Sequence, residues 1–221
     1  MGDQPLDDMT ESMHDAMSLD GDTDKLRAFY DNWADDYDLD VGSHGYGMPE
    51  MVVRTLIACA DALEWPATRQ EISVIDAGCG TGLVGAVLHA QGWTNLRGVD
   101  LSEEMAAKAA ARGIYTTVEG GIDLTSPAAD HLRGSADAVT VGGVFTVGHV
   151  PPDALEPMAS LARDGGVLAV STRDAYQRDT NWHELVARLE AEGRLEPIVH
   201  TADGPYTMDS TGDYWGWRVH H

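Results

Sequence analysis

One short segment constrains the fold of this chain more than any other. Residues 74–82 read Val-Ile-Asp-Ala-Gly-Cys-Gly-Thr-Gly. An apolar run that ends in an acidic residue and then in glycines at alternate positions predicts a buried strand entering a tight turn. Glycine permits unusual backbone dihedrals and lets a ligand lie directly against the main chain. A helix predicted from about Leu83 directs its positive N-terminus at the same turn. The segment therefore predicts a strand–turn–helix unit with a binding site formed by Asp76, Gly78, Cys79, Gly80 and Gly82.

A second acidic residue follows the next predicted strand. Asp100 stands eighteen residues after Gly82, within Arg-Gly-Val-Asp-Leu-Ser. A carboxylate at this place in a strand–helix–strand unit can accept hydrogen bonds from both hydroxyls of a ribose. Leu101 can lie along one face of a purine. The N–H groups of the turn and the carboxylate of Asp76 suit the carboxylate and the ammonium of an amino acid. Together these features predict a site for S-adenosylmethionine (SAM).

With both motifs in place, the chain resembles the class I SAM-dependent methyltransferases over roughly residues 50–175. The first motif of that family, an acidic residue, any residue and then Gly-x-Gly-x-Gly, fits residues 76–82 at every position. The second motif, and a third motif that the resemblance implies beside the adenine, match a further set: Asp100, Leu101 and Met105, then Asp123 and Leu124. The resemblance implies an enzyme that transfers a methyl group from SAM and releases S-adenosylhomocysteine (SAH).

The flanks of this region are similar to a smaller group, the small-molecule methyltransferase-like proteins of the Williams–Beuren region. The matching segments are residues 30–38, Tyr-Asp-x-Trp-Ala-x-x-Tyr-Asp, and residues 143–150, Gly-Val-Phe-Thr-Val-Gly-His-Val. The aromatic stripe of Tyr30, Trp33 and Tyr37 mainly predicts that the N-terminal helix packs onto the domain. The alternative is that residues 23–48 form a lid, in which Tyr37 and Tyr46 close over the cofactor, and the resemblance supports this for the segment from Tyr30 to Tyr37. The resemblance also implies that the methyl acceptor is a small molecule.

The acceptor is expected beside the loop after the fourth predicted strand, where Gly142 and Gly143 leave space for the cofactor. His149 in this loop is a candidate general base, because the unperturbed pKa of histidine, near 6.5, suits proton transfer. The alternative is that His149 only caps the next helix. The candidate contacts to the acceptor are Tyr46, Phe145, His149 and Arg173, of which Arg173 suits a carboxylate. The attacking atom (oxygen, nitrogen, sulfur or carbon) stays open, and no histidine pair has the spacing of a metal site.

Two other functions stay open at this point. Residues 80–85 read Gly-Thr-Gly-Leu-Val-Gly, which is also a dinucleotide-binding pattern and fits a NAD-dependent oxidoreductase. That interpretation requires the first strand to run on through Gly78, although glycine is a poor strand residue. The other alternative is a SAM-binding protein without catalytic activity that activates a partner.

From residue 72 onward, predicted strands alternate with predicted helices, which indicates a Rossmann-like, doubly wound, mostly parallel sheet of seven strands. The class resemblance implies an antiparallel last strand. The strands are expected at 72–76, 95–100, 114–118, 136–141, 166–172, 195–200 and 213–219, and the helices at 23–40, 49–63, 83–91, 102–112, 126–133, 151–162 and 181–193. The chain is therefore expected to consist of three parts. These are an acidic, disordered leader at 1–22, the lid at 23–48, and the SAM-binding domain at 49–221, with acceptor-site elements after about residue 174.

The net charge of the chain limits the classes of molecule that it can be expected to bind. The formal net charge is −23, and residues 1–40 carry thirteen acidic residues against Lys25 and Arg27. Such a surface repels phosphate backbones and anionic membranes, so neither nucleic acid nor membrane is expected as a partner. No secretory signal and no apolar stretch of membrane-spanning length is visible, which predicts a cytoplasmic protein. It is expected to be a monomer or a homodimer.

Overall fold

A seven-stranded sheet forms the centre of the molecule, for which the computed structural model describes residues 21–43, 45–65 and 68–221. The predicted leader lies outside these residues except for its last two positions. The strands are β1 (Val74–Ala77), β2 (Leu96–Val99), β3 (Thr117–Glu119), β4 (Ala136–Phe145), β5 (Ala162–Arg173), β6 (Leu195–Thr207) and β7 (Ser210–Val219). Their order across the sheet is β3-β2-β1-β4-β5-β7-β6. Strands β1 to β5 are parallel, and β7 pairs antiparallel with both β5 and β6. The predicted fold class, including the antiparallel last strand, is confirmed.

Helices cover both faces of this sheet. They are α1 (Thr23–Trp33), α2 (Tyr37–Ser43), α3 (Met48–Ala62), α4 (Leu83–Ala90), α5 (Glu103–Ala111), α6 (Leu155–Ala159), α7 (Asp174–Asp179) and α8 (Trp182–Ala191). Short 3₁₀ helices lie at Arg69–Glu71, Pro127–Leu132 and Pro152–Ala154. The region expected as one helix at 151–162 therefore divides into a 3₁₀ turn, the short helix α6 and the start of β5. Helix α7 was not predicted.

The helix expected at 23–40 is broken in two. Asp22 caps the start of α1 by accepting a hydrogen bond from the backbone N–H of Lys25. The chain then turns after Trp33, whose indole N–H donates to Asp40 Oδ2 at 2.7 Å. This bond joins the end of α1 to α2 across the turn, so the aromatic stripe of α1 does not continue as a single straight helix.

The core lies on the two faces of the sheet. Neighbouring strand residues such as Val74 and Ile75 are both fully buried but belong to different apolar clusters, because side chains alternate between the faces of a strand. One face packs against α3 and α4, and the other against α6 and α8. Burial on both faces explains why these strands read as continuous apolar runs. Within the described part of the chain, no helix is both long and apolar enough to span a bilayer.

Helices α1 and α2, in the predicted lid, lie across the edge where the parallel strands end. Three acidic residues of the predicted lid contact α5 in order along the helix. Asp31 accepts from the hydroxyl of Ser102, Asp35 pairs with Lys108, and Asp38 pairs with Arg112. The negative lid therefore docks against the capped start and the basic end of α5, and it covers the carboxyl ends of β1 and β2.

Candidate active site

A cleft that opens to solvent lies under the predicted lid, at the carboxyl ends of β1, β2 and β4. Its lining includes most of the site residues expected from the sequence: Tyr37, Gly78, Gly80, Asp100, Leu101, Met105, Asp123, Leu124, Gly142, Gly143 and His149. Seven further residues that the sequence patterns did not indicate also line it: Leu26, Tyr30, Ile122, Thr125, Val144, Val150 and Met158. Six expected residues do not line it: Asp76, Cys79, Gly82, Tyr46, Phe145 and Arg173.

The glycine turn forms one wall of the cleft. Strand β1 ends at Ala77, and Gly78, Gly80 and Gly82 follow with φ angles of +70°, +53° and +90°. These are left-handed conformations, which favour glycine. A Cβ on Gly78 would lie 2.4 Å from a methyl carbon of Val144, whereas a Cβ on Gly80 would meet nothing within 4 Å. The space beside Gly80 is thus open for a ligand. Because the strand ends before Gly78, the geometry does not match the strand that a dinucleotide fingerprint requires.

Asp100 lies beside this turn. Its Oδ2 accepts from the N–H of Gly80 at 2.7 Å, and its Oδ1 accepts from the N–H of Ser102 at 2.8 Å. Burial raises the pKa of Asp100, while these backbone hydrogen bonds favour the charged form and oppose the rise. A carboxylate can accept about four hydrogen bonds, so lone pairs of Asp100 stay available to two ribose hydroxyls.

Asp76 occupies a different place from the one expected. It is 1% exposed, and its oxygens accept from the hydroxyl of Tyr115 at 2.7 Å and from that of Thr140 at 3.0 Å. Burial raises the pKa of Asp76 to about 6. The carboxylate therefore braces β1 against its neighbours below the turn, and the structure corrects the expectation that it lines the cleft. Its contact with an ammonium stays a prediction.

Two further turn residues also lie behind the cleft wall. The backbone N–H of Cys79 donates to Val99 at 3.0 Å, and burial raises the pKa of its thiol well above the ordinary value. Gly82 is the residue before α4, and a Cβ added to it would lie 3.1 Å from both Arg112 and Tyr115. Both residues shape the turn, and their direct contact with a ligand stays a prediction.

The apolar end of the cleft lies between β2 and the segment after β3. Met105 and Leu124 are buried there, and Leu101 and Ile122 are partly buried. Asp123 Oδ1 accepts from the N–H of Thr125 at 2.8 Å and from its hydroxyl at 2.6 Å. These bonds hold the carboxyl group of Asp123 at the rim of an apolar slot. Such a slot with a polar rim suits an adenine.

His149 lines the cleft and forms a hydrogen bond with Tyr30 of the predicted lid. The hydroxyl of Tyr30 donates to His149 Nε2, and Nδ1–H donates to the carbonyl of Val147 at 3.1 Å. Burial lowers the pKa of His149 to about 4, so the imidazole is neutral near pH 7. Packing is the role mainly predicted for the aromatic stripe of α1, but Tyr30 of that stripe lines the cleft. The signal for this was Tyr30 within the matched segment 30–38.

Tyr46 and Tyr206 lie behind Gly143, with Arg173 over the ring of Tyr206, whereas Tyr37 lines the cleft. The rings of Tyr46 and Tyr206 have centroids 5.9 Å apart, and burial raises the pKa of Tyr37, Tyr46 and Tyr206. A Cβ on Gly143 would lie 3.0 Å from the hydroxyl oxygen of Tyr46. Arg173 lies over Tyr206, with its guanidinium carbon 5.2 Å from the ring centroid. Tyr46 and Arg173 therefore lie behind the wall of the cleft, near Gly143.

Phe145 corrects another expectation. It is fully buried in the core, with ring centroids 4.9 Å from Trp182 and 5.9 Å from Tyr176. Its side chain packs away from the cleft, although the loop that follows it contributes His149. Phe145 therefore supports the loop from below and does not form a wall of the acceptor site.

Comparison with known proteins places these features among methyltransferases. A family model described as a methyltransferase domain matches residues 54–218. The human methyltransferase-like protein 27 is 35% identical over 178 residues, which cover 77% of this chain and 68% of that protein. A Burkholderia thailandensis 1,6-didemethyltoxoflavin N1-methyltransferase, crystallised with bound 1,6-didemethyltoxoflavin and SAH, has a TM-score of 0.60 at 19% identity, over 100% of this chain and 94% of that one. A TehB-like SAM-dependent methyltransferase from Corynebacterium glutamicum has a TM-score of 0.58 at 17% identity, over 87% and 98%. The two structures show the fold alone.

Proposed function

Since the chain belongs to the class I SAM-dependent methyltransferases, we propose that it methylates a small molecule held between the cofactor and the Tyr30–His149 pair. The observation that carries this proposal is the junction of the glycine turn with Asp100. Gly80 leaves open space at the turn, and Asp100 is held beside it by two backbone N–H groups. The NAD-dependent and non-catalytic alternatives are not favoured.

The residues of the cleft fit SAM from end to end. Asp100 is positioned to accept the ribose hydroxyls, and the apolar slot near Leu124 is positioned to hold the adenine beside Asp123. The open space at Gly80 allows the amino-acid end to lie against backbone N–H groups at the start of α4. The part of the cleft that the cofactor leaves free is lined by Gly143 and His149, and the acceptor is expected there.

SAM supplies an electrophilic methyl group on a sulfonium, and the protein supplies alignment and exclusion of water. The lid covers the cleft, and its Tyr30 and Tyr37 both line it. Aromatic faces also attract a sulfonium by a cation–π interaction of about 0.5–2 kcal/mol. The lid residues therefore orient the reacting groups and keep water out.

Tyr30 and His149 act as a pair in this proposal. The neutral imidazole has its Nε2 lone pair directed at the hydroxyl of Tyr30, because Nδ1–H is held by the carbonyl of Val147. When a methylated acceptor loses a proton to the phenol oxygen of Tyr30, the phenol proton moves to His149 Nε2. Because the pKa of His149 is lowered to about 4, this relay suits an acceptor that becomes acidic as it is methylated, and not one that must lose its proton beforehand. His149 thus serves as the base through Tyr30, whereas the sequence suggested a direct contact.

A small acceptor is favoured over a polymer for two reasons. The reacting end of the cleft lies beneath a docked lid, which a polymer would have to displace. The net charge of −23 also opposes nucleic acid. The Burkholderia protein of the same fold acts on a small molecule, 1,6-didemethyltoxoflavin. The cytoplasmic location and the monomeric or homodimeric state stay predictions.

Isothermal calorimetry with SAH, SAM and NAD tests this function. The wild-type protein should bind SAM and SAH, and Asp100→Ala should remove measurable binding. Asp137→Ala is a matched control, because Asp137 also accepts a backbone N–H, from Ser73 at 2.9 Å, but lies at the opposite edge of the sheet. NAD binding without SAH binding would refute the proposal. SAH release should then be screened across a panel of metabolites.

A further inference from the structure

The hydroxyl of Tyr30 can act towards a ligand only as a hydrogen-bond acceptor. Nδ1 of His149 lies 3.1 Å from the carbonyl of Val147, and because a carbonyl only accepts, Nδ1 carries the proton of the neutral imidazole. Nε2 is therefore unprotonated, and it accepts the proton of the Tyr30 hydroxyl. Since His149 takes that proton, the phenol oxygen offers only lone pairs. Tyr30 and His149 both line the cleft, so a ligand beside the pair needs a donor group, N–H or O–H, to bond with it.

Tyr30 is close to the place where the methyl group is expected. Burial raises the pKa of Tyr30 well above its ordinary value, and Tyr37, Asp100 and Tyr206 are near enough to raise it further. Asp100 is the carboxylate expected at the ribose. Tyr206 lies behind Gly143, where a Cβ would be 3.8 Å from its hydroxyl oxygen. Tyr30 is therefore close both to the cofactor side of the cleft and to the wall where the acceptor is expected.

No arginine or lysine among the described residues lines the cleft. Its two acidic lining residues, Asp100 and Asp123, are both expected to contact the cofactor. An anionic acceptor would therefore be buried without a counter-charge, which is costly. The net charge of −23 also repels anions from the surface. The cleft thus favours an uncharged acceptor.

Apolar side chains surround the Tyr30–His149 pair. Leu26, one turn before Tyr30 on α1, lines the cleft. Val144 and Val150, on either side of His149 in the chain, also line it. An apolar wall around one polar pair suits a ligand with an apolar body and a single polar group.

We propose that the methyl acceptor is an uncharged aromatic amine that donates an N–H group to Tyr30; the inference rests on the proposed function. The nitrogen of such an amine carries both a lone pair for the attack and a proton for the hydrogen bond. The nitrogen bonds to the methyl carbon as the bond from that carbon to the sulfur of SAM breaks, and the electron pair of the broken bond stays on the sulfur. The ammonium so formed gives its proton to the oxygen of Tyr30. The phenol proton passes to His149 Nε2, which becomes an imidazolium.

Other acceptors fit this pair less well. An aliphatic amine is protonated near neutral pH and then has no lone pair, whereas an aromatic amine is uncharged. An alcohol, a phenol or a thiol must lose its proton for the attack. Burial lowers the pKa of His149 to about 4, which makes it too weak a base to remove that proton beforehand. A tertiary amine or a thioether has no proton to donate to Tyr30.

The binding test uses the SAH-saturated full chain with aniline, aminopyridine and aminoquinoline, each paired with its N,N-dimethyl derivative. Calorimetry should show that the parent amines bind about five- to tenfold more tightly, as expected for one hydrogen bond. Tyr30→Phe should abolish that difference, because it removes the accepting oxygen and keeps the ring. Tyr214→Phe is the matched control and should keep the difference. Tyr214 is also a buried tyrosine whose hydroxyl donates to a backbone carbonyl, that of Pro205 at 2.6 Å, but it does not line the cleft.

The activity test adds SAM to the same amines and to the phenol, thiol and carboxylate built on each ring. Mass spectrometry should detect N-methyl amines together with SAH, and no methylated phenol, thiol or carboxylate. Binding of SAH to the wild-type chain is measured first, and its absence would refute the proposed function itself. If SAH binds, the inference alone is overturned when no amine of the panel binds or is methylated, or when the dimethyl derivatives bind equally well. A difference that persists in Tyr30→Phe, or methylation of the phenol, thiol or carboxylate, would also overturn it.

Discussion

The substitution Gly80→Ala separates the backbone role of the turn from its role in binding. Gly80 has a φ of +53°, and a Cβ built on it meets nothing within 4 Å. The added methyl group therefore clashes with no protein atom, and it points into the space where the cofactor is expected. The cost in stability is that of placing an L-residue in a left-handed conformation, about 1 kcal/mol.

Gly134→Ala is a close match for this change. Gly134 has a φ of +61°, its Cβ would also meet nothing within 4 Å, and it precedes β4 at the opposite edge of the sheet. Both variants should lose about 2–4 °C in Tm, as expected for 1 kcal/mol in a chain of this size. Differences in ligand affinity between them therefore report the position of the methyl group.

Calorimetry with SAH is the decisive assay. The Kd of Gly80→Ala should rise at least tenfold, which is about 1.4 kcal/mol, while that of Gly134→Ala should stay at the wild-type value. Equal affinities in the two variants would show that the ligand does not lie against Gly80, and the placement of SAM in this cleft would be refuted. A large loss of Tm in Gly80→Ala alone would contradict the open space beside it.

Three further predictions concern the supports of the site. Gly85→Ala should lower the free energy of unfolding by about 2–3 kcal/mol, because the new Cβ would lie 2.0 Å from the hydroxyl oxygen of Tyr115; urea unfolding measures this. Arg112→Ala should weaken SAH binding several-fold in calorimetry, because Arg112 donates to a carbonyl of the glycine turn at 2.6 Å and also binds the lid, whereas Lys108→Ala should have little effect. As pH falls from 6.5 to 4, His149 is protonated in the unfolded chain before it is protonated in the folded chain. The free energy of unfolding of the wild-type protein should therefore fall by up to about 3 kcal/mol more than that of His149→Gln. Urea unfolding at each pH measures this difference.

Each of these predictions has an outcome that contradicts it. Gly42→Ala, at an exposed helical position with nothing within 4 Å of the new Cβ, should not destabilise the protein, and a loss equal to that of Gly85→Ala would argue against the contact. Equal SAH affinities in the two α5 variants would show that the lid and the turn are not coupled through Arg112. Parallel pH profiles of the wild type and His149→Gln would show that the imidazole is not buried as a neutral group.

Local sequence patterns were sufficient to predict the sheet and the side of the cleft where the cofactor is expected. Positive φ angles at Gly78, Gly80 and Gly82 are a property of the turn itself, and the alternation of strands and helices specifies parallel pairing by short crossovers. The carboxyl ends of parallel strands then meet at one edge, which places Asp100 beside the turn. The elements predicted least well, such as the helix at 151–162, are short ones in which 3₁₀ turns replace a regular helix.

Contacts between distant segments could not be read in the same way. Gly85 fits a dinucleotide pattern in the sequence, but the structure shows that its missing side chain makes room for Tyr115, which donates to Asp76. Phe145 looked like an acceptor contact, yet it packs with Trp182 in the core. In both cases the partner lies far away in sequence, so no local window contains the information.

The sequence by itself determined the class of fold, the glycine turn and the acidic strand end, because these depend on periodicity and on the backbone freedom of single residues. The tertiary structure decided the rest of the site. It placed β7 between β5 and β6, and it brought the hydroxyl of Tyr30 to the imidazole of His149. Such arrangements depend on how lid, strands and loops pack together, and burial and pairing in that packing are properties of the whole fold.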